Sequence, residues 1–272
     1  MSETLADLLD LKLAWRRVEA DIPDRVFVCH PYEVKLIKLD LEGWLNSLHE
    51  HVRNDKYHPN PLVVCDAPKG NGLVRPGGHL SVDDRVIYAA CVGACFPEIH
   101  QALSWSQGSI DFSYRLSIDS GEIEWLRNQF VGWKDFRVKS LSKIAEGISY
   151  VVFADISGYY ESIDVSLLIS DLKQIRAPIE VVNQLSACLN RWAQVRGRGI
   201  PQGHSPSDIL GKLYLNSVDR SLQTMDYTHY RYVDDFRIFC HNRVEAKKAL
   251  VDLTRLLRKR GLSLQSAKSE IL

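Results

Sequence analysis

The chain has 272 residues, 45% of them hydrophobic and 25% charged, which is ordinary globular usage and excludes long disorder, collagen and a coiled-coil rod. Thirty-four basic residues balance thirty-four acidic ones, so no overall field draws in nucleic acid or an anionic membrane and any polyanion site must be local. The six cysteines (Cys29, Cys65, Cys91, Cys95, Cys188, Cys240) form no dense disulfide framework and no CxxC pair, so they are expected to be reduced and mostly buried.

The amino terminus opens with acids and lacks the basic start and apolar core of a signal peptide. The longest apolar run, Val86 to Phe96, is broken by Pro97 and falls short of the roughly 20 residues that span a bilayer, so a cytoplasmic chain without a membrane segment is expected. Leucines and aromatics at three- and four-residue spacing predict amphipathic helices over 3–20 and 34–53. The stretch from Asn60 to Gly78 mixes short β-type runs with Gly and Pro, as a hairpin does, and carries Lys69 and Arg75 in a basic loop. Ser81 with Asp84 three residues on predicts an N-cap, followed by a long buried helix interrupted at Pro97. Cys91 and Cys95 share one face of it, with no second ligand pair nearby, and are expected to be core. His49, His51 and His58 lack the spacing of a helical zinc site and are expected at the surface.

Residues 105–149 show no clear periodicity and predict a long connection. Beyond it, YVVFADI (150–156) predicts a buried strand ending in Asp155, with helices over 164–175 and 178–193. Ser205-Pro206-Ser207-Asp208 introduces a further helix, with Ser205 as its cap and Pro206 at its first position. His229–Val233 and Phe236–Cys240 predict a tight hairpin with Asp234 and Asp235 at its tip. A basic amphipathic helix over 243–260 stops at Gly261, and a last strand or hairpin closes the chain. The order of these elements predicts an α+β layer, an antiparallel sheet with helices on one face.

Carboxylates repel, so an apolar strand ending in Asp155 and a turn carrying Asp234 and Asp235 call for positive charge between them. Hard oxygen ligands of this kind suit Mg²⁺, and two such ions about 4 Å apart serve an in-line phosphoryl displacement. Taken alone, Asp234-Asp235 reads better as a polar turn. The surrounding phrases reverse that balance.

RYVDDFRIFC contains the YxDD box of reverse transcriptases. FADISGYYESI resembles that family's first aspartate motif, GIPQGHSPSDILGKLYL its PQGxxxSxxL motif, and GLSLQSAKS its GLxLxxxKT motif. RPGGHLSVDDRVIYAAC resembles the fingers motif of group II intron-type enzymes, so the resemblance runs from about Arg75 to the end. WSQGSIDFSYRL, GWKDF and RYVDDFRIF look most like the abortive-infection and defence-associated reverse transcriptases of bacteria. Asp208 stands where the family usually has Pro, and the chain stops where a helical thumb normally begins.

The resemblance implies right-hand polymerase fingers with a connecting segment over 1–149 and a palm over 150–272, the thumb absent or not included. It implies that Asp155, Asp234 and the Ile156 carbonyl hold two Mg²⁺ ions, with Mn²⁺ as a substitute and Asp235 as a nearby acid. Backbone amides of residues 157–160 would cradle the triphosphate. Tyr160 would stack under the incoming sugar and reject a 2′-hydroxyl, a packed core tyrosine being the alternative. Gln202 and Gly203 would line the nucleotide pocket, Lys69 and Arg75 would meet the triphosphate, and Lys268 would protonate the leaving pyrophosphate or stand as a surface lysine. Arg85 would meet the triphosphate or pair with Asp83 or Asp84. Arg191, Arg196 and Arg198, with Lys247, Lys248, Arg255 and Arg258 on the last helix, would contact nucleic-acid phosphates. The implied function is RNA-directed DNA synthesis in antiphage defence, using deoxynucleoside triphosphates, an RNA template and a DNA product, with further protein chains able to supply a thumb. Untemplated or protein-primed synthesis at the same site and an inactive nucleic-acid or partner-binding scaffold are the alternatives. Clustered acids argue against the scaffold.

Overall fold

The leucine and tryptophan spacing of the amino-terminal segment does produce helices. In the computed structural model, which describes residues 4–25, 31–68, 72, 74–117, 119 and 121–272, these are α1 (Leu5–Leu8), α2 (Leu11–Arg25), α3 (Pro31–Leu39) and α4 (Leu41–Arg53). Asp40 caps α4 by accepting the Gly43 N–H, and Leu45, Leu48 and Val52 form its buried stripe. Trp15 of α2 meets Trp44 of α4 edge-on, ring centroids 5.4 Å apart.

Strands β1 (Val63–Pro68) and β2 (Val74–His79) pair antiparallel as the expected hairpin. The expected N-cap forms too, with the Ser81 side chain accepting the Asp84 N–H at the start of α5 (Val82–Ala94). The break in the long helix falls one step earlier than its proline. Cys95 ends α5, and Pro97 sits in the first turn of α6 (Phe96–Leu103), where its missing N–H leaves no helical bond unmade. The two helices meet at 56°, and no single helix among the described residues is long and apolar enough to cross a membrane. Cys91, Cys95, Cys188 and Cys240 are buried free thiols and Cys65 is partly exposed; Cys29 lies outside the described residues.

The supposed connection over 105–149 contains α7 (Gln129–Ala145), capped by Asn128. Its buried stripe is only Gly132, Phe136 and Ser140, while Phe130, Val131, Val138 and Leu141 face outward, so its apolar residues carry no helical period. After β3 (Tyr150–Asp155) come α8 (Tyr159–Ser162), α9 (Val165–Gln174), α10 (Ile179–Trp192) and α11 (Ser205–Thr224). His204, not Ser205, is the capping position of α11, and the Ser205 N–H donates to Asp21 of α2. The chain closes with β4 (Thr228–Tyr232), β5 (Asp235–Cys240), α12 (Arg243–Lys259), a 3₁₀ turn at Ser266–Lys268 and β6 (Glu270–Ile271).

The larger sheet is antiparallel in the order β4-β5-β3-β6. Alternation along the strands sends Val152, Ala154, Phe236 and Ile238 into the core beneath α11 and α12. Asp155, Phe153, Asp235 and Arg237 point to the opposite face, where the Arg237 guanidinium lies 4.2 Å from the Phe136 ring of α7. This is a mixed α+β fold, the fingers and palm of a right-hand polymerase with an antiparallel palm sheet backed by helices. One cluster of buried residues runs from Ala6 to Leu262 across position 150, so the parts of the chain on either side of that position share a core.

Helix α7 reaches the sheet only because Gly132 lets its backbone pass the Phe112 carbonyl, where an added Cβ would come within 2.2 Å of the oxygen. Gly132→Ala should therefore destabilise the protein by about 1–3 kcal/mol, read as a lower urea midpoint with an unchanged m-value.

Candidate active site

Strand β3 ends at Asp155, and its antiparallel neighbour β5 begins at Asp235, with the two residues directly opposite in register. The turn differs from the sequence expectation. Tyr232 pairs with Asp235, so the two-residue tip is Val233-Asp234 and Asp235 is already strand. Val233 holds φ at 57°, a left-handed conformation that a β-branched side chain resists. The Ile156 N–H donates to the Asp234 carbonyl at 3.3 Å, which ties the residue after Asp155 to the turn. Three carboxylates are thereby gathered at one end of the sheet.

Their electrostatics are those of like charges forced together. Burial, with Asp155 and Asp234 adding to it, pushes the Asp235 carboxyl up to about 6 against the opposing pull of Arg237 and Lys268. Lys268 donates from Nζ to Asp155 Oδ2 at 3.1 Å. Its place follows from the backbone, because the Gln265 N–H donates to the Asp155 carbonyl at 2.8 Å and the Lys268 N–H to the Gln265 carbonyl. Among the described residues no three acidic, His or Cys side chains already converge as a metal cage. The donor set nonetheless fits a hard divalent cation, since the oxygens of Asp155, Asp234 and Asp235 line one cleft and the like charges of Asp155 and Asp234 help to push the Asp235 carboxyl up.

These groups line a cleft of about 390 Å³ together with Ile156, Tyr160 and Gln202, which brings most of the sequence-expected site into one place. Trp133 and Tyr114 also line it; they stand in the phrases GWKDF and WSQGSIDFSYRL, but nothing there marks either as a site residue. Tyr160 donates its phenol O–H to Asp208 Oδ1 at 2.6 Å. Of the amides expected to cradle a triphosphate, that of Ser157 is already used, donating to the Ser263 carbonyl at 2.9 Å. Gly203 holds φ at 98°, the left-handed region for which glycine is suited. The fingers hairpin docks on the same loop. Gly78 donates its N–H to the Gln202 carbonyl at 3.1 Å, and its own carbonyl lies 2.7 Å from His204 Nε2.

Beneath the turn lies a buried charge cluster that sequence inspection missed. Arg231 donates to both oxygens of Asp219, to Asp111 Oδ2 at 2.9 Å and to the Val233 carbonyl at 2.9 Å. Lys212 donates to Asp111 Oδ2 and to the Ser113 carbonyl, both at 2.6 Å. Two cations face two anions, all at most 3% exposed apart from their polar contacts. Burial alone would raise the Asp219 carboxyl, yet the Arg231 guanidinium and the His229 hydrogen bond hold it down at about 2. Three of the four members sit in phrases noted above, Asp111 in SIDF, Lys212 in GKLYL and Arg231 in RYVDD, while Asp219 lies just beyond GKLYL. An ionisable residue inside an apolar phrase was the available signal.

The remaining candidates lie elsewhere. Arg191, Arg196 and Arg198 are exposed, with Arg198 bridged to Asp164 through the backbone. Lys69 and the side chain of Arg75 lie outside the described residues. Arg85 is buried, donating to the Leu80 carbonyl and bonded to His79 Nδ1, so it secures α5 to the hairpin. On α12, Lys248 and Arg255 flank Asp252.

The family described as reverse transcriptase (RNA-dependent DNA polymerase) matches residues 67–272. No curated protein matches the sequence. Among solved structures, the chain is similar to a partial Cas6-RT-Cas1–Cas2 complex at 21% identity and a TM-score of 0.51, covering 95% of this chain and 42% of that one. It is also similar to telomerase from Candida albicans with a TWJ fragment of telomeric RNA, at 12% identity and a TM-score of 0.53, covering 85% and 45%. The corresponding complex from Candida tropicalis gives 12% identity and a TM-score of 0.54, covering 84% and 44%. The likeness is one of fold, and this chain spans less than half the length of each.

Folding favours the neutral form of Asp235, whose carboxyl rises from 3.8 to about 6. In the metal-free protein this group therefore weakens the fold progressively as pH rises from about 4 through about 6. Asp235→Asn should stabilise the metal-free protein by about 1–2 kcal/mol at pH 8, part of the full shift being discounted for solvent, and the gain should vanish by about pH 4. Urea unfolding at the two pH values checks both sign and window.

Proposed function

The chain belongs to the reverse transcriptase family, and from that premise we propose that it copies RNA into DNA at the cleft between Asp155 and the Val233-Asp234 turn. The observation that carries this reading is the register of the sheet, which sets Asp155 opposite Asp235 and ties Asp234 beside them at one end of a cleft. Mg²⁺ ions, or Mn²⁺ in their place, held by Asp155, Asp234 and the Ile156 carbonyl would lower the pKa of the primer 3′-hydroxyl and neutralise charge on the pyrophosphate.

The chain's own residues divide the remaining work. A new bond forms between the primer O3′ and the α-phosphorus as the bond from that phosphorus to pyrophosphate breaks; the 3′-hydroxyl proton leaves to solvent water, and Lys268 supplies a proton to the leaving oxygen. Gln202, on a loop clamped to the fingers hairpin, borders the nucleotide pocket, and Gly203 gives that loop its left-handed turn. Lys69 and Arg75 meet the triphosphate from the hairpin. Tyr160 faces the incoming sugar and excludes a 2′-hydroxyl. The exposed Arg191, Arg196 and Arg198 bind template or primer phosphates without sequence choice. A role in antiphage defence is supported by the phrases WSQGSIDFSYRL, GWKDF and RYVDDFRIF and is compatible with the likeness to the Cas6-RT-Cas1–Cas2 complex.

Incubation with Mg²⁺, labelled deoxynucleotides and a primed RNA should give DNA complementary to the template. Asp234→Asn should lower incorporation roughly 100-fold or more while leaving the fold intact. Undiminished incorporation by that variant would sink the site assignment, and a product whose sequence ignores the template would replace copying with untemplated synthesis. Tyr160→Ala should lower overall efficiency and raise the ratio of ribo- to deoxynucleotide use by about 10- to 100-fold. An unchanged ratio would make Tyr160 a packing residue.

A further inference from the structure

We propose that Asp208 is a positioning residue for sugar choice, holding Tyr160 in place through the phenol hydroxyl; the inference rests on the sugar-contacting role given to Tyr160 above. Asp208 lies in the first turn of α11, where the backbone dipoles favour a carboxylate, and is 6% exposed. Its Oδ1 accepts the Tyr160 O–H at 2.6 Å, a charge-assisted bond between residues 48 positions apart.

The rest of the ring's surroundings set its plane but not its reach. The neighbouring Tyr159 ring lies at 5.2 Å between centroids, tilted by 54°, and donates its hydroxyl to the Gly211 carbonyl at 2.6 Å. Gly211 leaves just enough room for both rings, since an added Cβ would stand 3.3 Å from Tyr159 and 3.4 Å from Tyr160. The Tyr160 carbonyl accepts the Ile200 N–H at 3.0 Å, which joins its backbone to the Gln202 loop. These contacts fix the backbone and the plane of the ring. At its tip, the phenol oxygen bonds Asp208.

A bulky ring rejects an added hydroxyl only if it cannot swing aside, because an apolar wall by itself discriminates weakly against one extra oxygen. That restraint requires the tyrosine oxygen and not merely ring bulk. Phenylalanine at this position would keep the bulk and lose the restraint.

The test measures kcat/KM for a matched deoxynucleotide and its ribonucleotide on a primed RNA with the wild type, Asp208→Ala, Asp208→Asn, Tyr160→Phe and the double variant Asp208→Ala with Tyr160→Phe. Discrimination against the ribonucleotide should fall about tenfold in Asp208→Ala and in Tyr160→Phe, the worth of one hydrogen bond. Asp208→Asn, whose amide oxygen can accept the same bond, should keep the ratio within about twofold. The double variant should be no worse than either single one, because each removes the same bond. Should Asp208→Ala fail to fold, Tyr160→Phe and Asp208→Asn still decide. Equal losses for both sugars in Tyr160→Phe, or an Asp208→Asn variant that loses the ratio, would overturn the positioning role. A wild type that incorporates neither sugar would instead overturn the polymerase reading itself, and this inference with it.

Discussion

Burying a guanidinium costs several kcal/mol unless its donors are met, and Arg231 meets that demand with Asp219, Asp111 and the Val233 carbonyl. The three partners come from a helix, from the segment before α7 and from the turn that carries Asp234. A strained residue at φ 57° persists only where its surroundings over-determine it, and the Arg231 bond to the Val233 carbonyl is one such constraint. Lys212 completes the balance by neutralising the second carboxylate and fastening the Ser113 carbonyl. Removing one member would strand a charge in a dry interior. The acids of the cleft are thus mounted on a charge cluster whose own charges are paired in the interior.

That contrast separates the two groups of acids physically. Asp219 is held near 2 because a guanidinium reaches both its oxygens, whereas Asp235 rises to about 6 because burial, with Asp155 and Asp234 beside it, outweighs the pull of Arg237 and Lys268. One set spends its charge on structure. The other keeps charge in reserve for a ligand, and Lys268 provides Asp155 with a partial counter-ion meanwhile.

Much of the site could be read from the chain because its chemistry demands particular residue types at strand ends and turns. Asp155 after YVVFA, the acids after RYV and the glycine of PQG each stand out against an apolar or extended background. The register of the hairpin could not be read, since placing Val233 in the tip contradicts the usual preference of turns for Gly, Asn or Asp. Helix α7 was hidden by a stripe containing one large apolar residue, Phe136, between Gly132 and Ser140. The charge cluster was hidden by distance, with Asp111 bonded to residues 101 and 120 positions away. Arg85 takes the structural one of its two expected roles, with the Leu80 carbonyl and His79 as partners in place of Asp83 or Asp84.

The pairing of β3 with β5 also has a consequence for how the molecule comes together. Asp155 and Asp235 stand 80 positions apart, so joining them closes a long loop containing α8 to α11 and β4. Such non-local pairing comes late relative to the helices, which form from local contacts. Repulsion between Asp155 and the turn acids is felt only once the two strands meet, where the burial of Val152, Ala154, Phe236 and Ile238 favours the union. The electrostatic penalty and the apolar gain that offsets it thus belong to one pairing event.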